Sequence, residues 1–254
     1  MKADEERALL QRHYADVFSV GSLAALVARE LANQGATLQG VYSPYEPTLY
    51  RGQSPSFDTS CLIGDRSAGL YVALLEREFA MSVGVDGIHV AQGWTPDVAA
   101  LAKAVRRWLE DRPLASVLSI EFPFIKLTDD GIGHERGTYL EDRWLRFVEF
   151  AKKRRTADDV FRWSELQAVI DVAARHPDLR RFVPYTSINR FSVASEAGPP
   201  DTSVPVICPL GGSRYRLAPY WGGESVAEGD AGTVVEALAS YLRDNSIPPS
   251  RFAP

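Results

Sequence analysis

The stretch GIHVAQGWTPDVAALAKAVRRWL, residues 87–109, returns in looser form as GESVAEGDAGTVVEALASYL, residues 223–242. Gly87, Val90, Ala91, Gly93 and Val98 match Gly223, Val226, Ala227, Gly229 and Val234 at one constant offset, and Val105 corresponds to Tyr241. Each copy reads as a strand, a glycine turn and a capped helix. Each follows an alternating strand, LYVAL (70–74) or YRLAP (215–219). A meander with one helix laid across it buries a single sheet face, and two such units complete a core together. The fold class that follows is α+β: two related antiparallel β-meander-plus-helix units, with further helices at the N-terminus and between the units. Residues 1–128 would hold an N-terminal helical pair and the first unit. Residues 129–254 would hold the linking helices and the second, the whole packed as one body.

Working outward, residues 4–18 and 22–34 carry apolar side chains at helical spacing, with Leu9, Leu10, Tyr14, Val17, Leu23, Leu26, Val27 and Leu31 as the buried set and Gly35 as the stop. Strand-like runs follow at 60–64, 69–74, 78–83 and 87–92, separated by turn residues. Thr95-Pro96-Asp97 opens a helix, threonine capping, proline pre-set for the first position and aspartate favouring the dipole. Its apolar stripe is Val98, Leu101, Ala102, Val105, Trp108 and Leu109. The segment 115–128 reads as a strand held to an edge by Pro123, and 129–137 as a charged loop. Helices are expected near 138–153 and 157–175, strands at 187–193, 204–209, 213–219 and 224–228, and a last helix at 231–243. The tail SIPPSRFAP shows no packing signal.

The chain has 254 residues, an apolar fraction of 45% and a net charge of −5, enough for a sizeable core and without the basic surplus of a nucleic-acid protein. The run Lys152-Lys153-Arg154-Arg155 therefore reads as a solvated helix end. Cys61 and Cys208 lie far apart in strand-like contexts and read as buried free thiols. The N-terminal segment lacks a signal-peptide h-region and no apolar run is long enough to span a bilayer, so a cytoplasmic, membrane-free protein is expected. A Walker loop, a strand-linked GxGxxG, a GxSxG elbow and a CxxC pair are all missing, so no cofactor and no metal is expected.

Three constellations carry possible chemistry. HPDLRRFVPYTSINRF, residues 176–191, follows a helix that should end before Pro177. Leu179, Phe182 and Val183 would plug the core, leaving Arg180, Arg181 and Arg190 around a Tyr185-Thr186-Ser187 turn. Guanidinium groups beside hydroxyls suit a carboxylate or phosphate. The structural alternative has the arginines capping carbonyls and pairing with acids such as Asp178. DDGIGHERG, residues 129–137, gathers Asp129, Asp130, His134 and Glu135 without the spacing of a known metal motif, and His134 is the first choice for a general acid or base, with Tyr185 as the other candidate. His13, His89 and His176 read as structural or exposed. The loop 42–59, with Tyr42, Tyr45, Tyr50, Arg51 and Phe57, either lines a groove or folds over a sheet edge. Tyr45 and Arg51 join Arg180, Arg181, Thr186, Ser187 and Arg190 as candidate ligand contacts.

Trp163-x-x-Leu166, His176-Pro177-x-Leu179-Arg180, Pro184-Tyr185-Thr186-Ser187, Phe191 and the run Tyr215-Arg216-Leu217-Ala218-Pro219 with the later AEG and EALASYL resemble a family of actinobacterial proteins of unknown function. Its members are catalogued as natural product biosynthesis proteins from their gene neighbourhoods. The resemblance covers mainly residues 160–243, with a looser echo in 85–110. It implies a setting in secondary metabolism and no catalytic residue. Two functions follow as expectations. One is an accessory or substrate-binding protein of a natural product pathway, in which a peptide or small molecule, or another pathway protein, is the partner. The other is a cofactor-independent enzyme of that pathway, such as a cyclase or lyase modifying a peptide. Oligomeric state is left open.

Overall fold

The structure, a computed structural model, describes residues 3–36, 41–42, 58–153, 163–187, 189–198 and 202–253. Its contacts divide the chain into two compact units, residues 1–132 and 133–254. Among the described residues no helix is long and apolar enough to cross a membrane.

The first unit opens with α1 (Ala3–His13), α2 (Ala15–Val20) and α3 (Leu23–Asn33). The helix expected over 4–18 is broken at Tyr14, which is fully buried. Its hydroxyl lies 2.7 Å from the Ala73 carbonyl and accepts the Glu78 N–H at 2.9 Å, so the ring is spent on fixing the connection 73–78. Arg77 of that connection forks onto Asp16 at 3.0 and 2.7 Å. This hydrogen-bonded guanidinium holds the Asp16 carboxyl below its ordinary range. The folded protein therefore takes up that proton less readily than the unfolded chain. The contact stabilises the fold above the usual aspartate range, about pH 3.9, and its contribution is lost as pH falls through the depressed value. Melting temperature should accordingly drop more steeply below about pH 4 in the wild type than in Asp16→Asn. Parallel acid limbs in thermal melts would remove this role.

The sheet of the first unit runs β1 (Val41–Tyr42), β2 (Asp58–Ile63), β3 (Arg66–Val72), β4 (Phe79–Val85), β5 (Ile88–Thr95) and β6 (Ile125–Leu127), in that order. Each neighbouring pair is antiparallel. On one face lies α4 (Val98–Glu110), which buries Leu101, Ala102, Val105, Trp108 and Leu109 and packs on α3 and the strands. Its cap is Asp97, whose carboxylate accepts from the N–H groups of Ala99 and Ala100. Thr95, the expected cap, instead accepts from Asp97 N–H at 3.1 Å.

Two expectations fail next to this helix. Residues 115–121 form a helix, α5 (Ala115–Glu121), and only 125–127 form the strand β6. Ala115, Leu118 and Phe122 are the buried positions, at helical spacing, and Pro123 denies Phe122 a helical conformation. Residues 129–136 form α6 (Asp129–Arg136), not a loop. Thr128 supplies the cap, its hydroxyl accepting from Gly131 N–H at 2.9 Å, and Asp129 and Asp130 sit at the favoured end of the dipole. Gly131 is set by contact: a Cβ there would stand 2.0 Å from the Val90 carbonyl oxygen.

The second unit takes up the chain at Gly133, within α6. It continues with α7 (Tyr139–Lys153), α8 (Trp163–Ala173), a 3₁₀ turn (Leu179–Arg181), β7 (Val183–Thr186), β8 (Phe191–Ala194), β9 (Val206–Gly211), β10 (Arg214–Ala218), β11 (Ala227–Gly229) and α9 (Ala231–Asp244). The five strands form one antiparallel sheet in the order β11-β10-β9-β8-β7. β7 occupies residues expected to be turn, because Pro184 faces Val193 and Tyr185 faces Ser192 in a hairpin with β8. α8 packs between α7 and α9 and on the strands, while Tyr215, on β10, donates its hydroxyl to the Glu165 carbonyl at 2.8 Å.

The architecture is thus α+β with two similar antiparallel sheet units, of six strands in the first and five in the second, each packed by a helix. The ungapped alignment of the two copies holds through the strand and slips at the helix. Trp94, Thr95 and Pro96 separate Gly93 from the cap Asp97, whereas Gly229 is followed at once by the cap Asp230. The buried stripe Val234, Val235, Leu238 and Leu242 therefore answers to Leu101, Ala102, Val105 and Leu109.

Candidate functional site

Three segments of the second unit enclose a half-open cleft of about 660 Å³. The first is the junction of α6 and α7. Gly137, at φ +74, ends α6 with its N–H on the His134 carbonyl, and Thr138 N–H returns to Gly133. This left-handed stop satisfies two orphan carbonyls and turns the chain directly into α7. Thr138 donates its hydroxyl to Asp142 at 2.7 Å. His134, Tyr139, Leu140 and Glu141 are thereby set on one wall.

The second wall is the 3₁₀ turn after α8. Leu179 and Phe182 point inward and are buried, a spacing that matches the three-residue period of such a turn. Trp144 donates its ring N–H to the Phe182 carbonyl at 3.0 Å and holds the turn to α7. Arg180 and Arg181 are left outward, exposed and facing the cleft with Pro177.

The third wall is the tail, which the sequence reading gave no packing. It is anchored instead. Pro248 accepts from the Ser195 hydroxyl at 2.6 Å, Ser250 N–H donates to the Arg181 carbonyl at 2.8 Å, and Ser250 is buried. The Phe252 ring meets Tyr139 edge-on at 5.1 Å and His134 at 6.0 Å. Arg251 and Ala253 complete the lining.

The charge in this cleft is uneven. Among the described residues, Arg180, Arg181 and Arg251 line it with a single side-chain carboxylate, Glu141. Two other acids of this unit are engaged elsewhere. Asp178 pairs with Arg243, and Glu236 takes both His176, at 3.1 Å, and Arg243, at 3.2 Å. Those contacts hold the Glu236 carboxyl below its ordinary range, the His176 hydrogen bond first. Arg180 and Arg181 make no side-chain hydrogen bond or ion pair with any described residue, so the pairing with Asp178 expected from the sequence does not occur.

The site candidates are divided by this geometry. His134, Arg180 and Arg181 share the cleft; Tyr185, Thr186, Ser187 and Arg190 do not line it. Tyr185 and Thr186 lie on β7, Ser187 N–H closes the hairpin onto the Arg190 carbonyl, and Arg190 donates to the Tyr220 carbonyl at 2.9 Å. Tyr45 and Arg51 lie outside the described residues. Among the described residues no three His, Cys, Asp or Glu side chains are grouped as metal ligands. Cys61 is buried, and burial pushes its thiol up to about 11, whereas Cys208 is only half-buried. Glu141, Arg251 and Phe252 were missed, and the one signal for the last was an aromatic residue in a proline-rich tail.

Residues 139–248 match the model of a family of unknown function, DUF6193. The match takes in α7, the arginine turn and α9, and leaves out His134 and the Arg251–Ala253 wall. No curated protein and no solved structure matches the chain.

Proposed function

We propose that this protein is an accessory or substrate-binding protein of a bacterial natural product pathway, and that its cleft receives an anionic group of a peptide or small-molecule ligand. The observation that carries the binding reading is the pair Arg180 and Arg181, two exposed guanidinium groups without a partner among the described residues, on the wall of a cleft in a chain of net charge −5. Forked donors that stay charged suit a carboxylate or phosphate. The first turn of α7, Tyr139 to Glu141, lines the same cleft and brings the positive end of a helix dipole to it. The pathway setting rests on the resemblance of the 160–243 motifs. Deleting the gene and analysing the accumulating product by mass spectrometry tests it: product of unaltered mass at reduced yield supports an accessory role, and an unchanged yield counts against it.

A second reading, a cofactor-independent cyclase or lyase, is favoured by one feature, His134 on the cleft that holds the arginines. In that reading the arginines fix the anion and His134 moves a proton. Against it, the imidazole meets the Phe252 ring, and no carboxylate among the described residues orients it. His134→Ala separates the two readings. An intermediate short of one defined mass change marks the enzyme, and normal product marks the binder.

A further inference from the structure

We infer that the ligand of this cleft is a zwitterion, an amino acid or short peptide with free α-ammonium and carboxylate groups, an inference that rests on the anion-binding reading above. The cleft carries both signs of charge on separate walls, Glu141 on the first turn of α7 and Arg180 and Arg181 on the 3₁₀ turn. Neither arginine comes within the ion-pairing limit of Glu141, and no described residue pairs with any of the three.

Elsewhere in this unit several exposed charges do find one another. Arg243 takes Asp178 and Glu236, Arg216 takes Glu228 at 2.7 Å, and Arg251 reaches Glu196 at 3.8 Å. Glu141 and the two arginines are left apart on the walls of one cleft. A ligand with opposite charges at its ends fills such a gap: a carboxylate accepts from the guanidinium forks, and an ammonium with three donors meets the carboxylate of Glu141. An extended dipeptide puts roughly 7 Å of chain between those ends. Tyr139, Leu140, Pro177 and Phe252 line the same space and offer apolar surface to its side chains.

Calorimetric titration of the full chain with the dipeptide Leu-Phe, its N-acetyl form, its C-terminal amide and free phenylalanine tests this. The free dipeptide or phenylalanine should bind, and the tighter of the two assigns a peptide or an amino acid. Acetylation should weaken binding about tenfold. Glu141→Gln should weaken the unmodified ligand by the same factor and leave the acetylated one unchanged; the amide should not bind. Equal affinity of the free and acetylated forms for the wild-type protein overturns the zwitterion while leaving the anion site in place. If no carboxylate form binds, the anion-binding reading fails, and this inference fails with it.

Discussion

Trp108→Ala is expected to destabilise the first unit by about 3–5 kcal/mol, the range for deleting a large buried aromatic side chain. Trp108 is 1% exposed and lies on the face of α4 that covers the sheet. Its ring N–H donates to the Ser67 carbonyl at 3.0 Å, and the Arg66 guanidinium stacks over the ring at 4.0 Å. Arg66 in turn donates to the carbonyls of Trp108 and Pro113 at 3.1 and 2.7 Å. Removing the indole opens a cavity, takes a donor from the Ser67 carbonyl and leaves a largely buried cation without its stacking partner, so the losses add in one place. Domains of this kind are stable by about 5–15 kcal/mol in total, so roughly a fifth of the margin or more would go. Urea denaturation should show it as a shifted midpoint. Trp221, 82% exposed, is the control, and its alanine variant should stay within about 0.5 kcal/mol of wild type. Equal effects at the two tryptophans would mean that the α4 face is not the core.

The double reversal Arg180→Glu/Arg181→Glu should weaken binding of a carboxylate ligand by about a hundredfold or more, because it replaces two attractive charges by two repulsive ones beside Glu141. Stability should be nearly untouched. Both side chains are exposed and unpaired among the described residues, and the turn is held by Leu179, Phe182 and the Trp144 hydrogen bond. Wild-type affinity should also fall with added salt, since an open cleft is screened over about 8 Å at physiological ionic strength. A variant that melts like wild type and still binds would remove the arginines from the site.

What could be read from the sequence was whatever repeats or alternates. The β2–β5 meander, the helix at α9 and the α+β class follow from periodicity, because apolar residues at spacing two or 3.6 report which face is buried. Signals that depend on contact were not readable. Gly131 suggested a loop because glycine disfavours helices, yet it is required by the Val90 carbonyl pressed against α6. The 115–121 run is rich in residues that suit either state, and only the burial of Ala115, Leu118 and Phe122 decides for helix. The cleft shows the same division. Arg180 and Arg181 were recognisable because Leu179 and Phe182 had to turn inward, whereas Tyr185 to Arg190 look equally exposed in sequence and are carried off by a hairpin. The tail's role depends on Ser250 meeting the Arg181 carbonyl, and nothing local records that.

The most direct test of the central claim, that the second unit binds an anionic ligand between α7, the arginine turn and the tail, is an amide NMR titration with the dipeptide Leu-Phe. Shifts concentrated at His134, Gly137, Thr138, Arg181 and Ala253, and lost in the double arginine variant, are the predicted result. Shifts centred instead on Thr186, Ser187 and Arg190, or no saturable shifts at all, would contradict it.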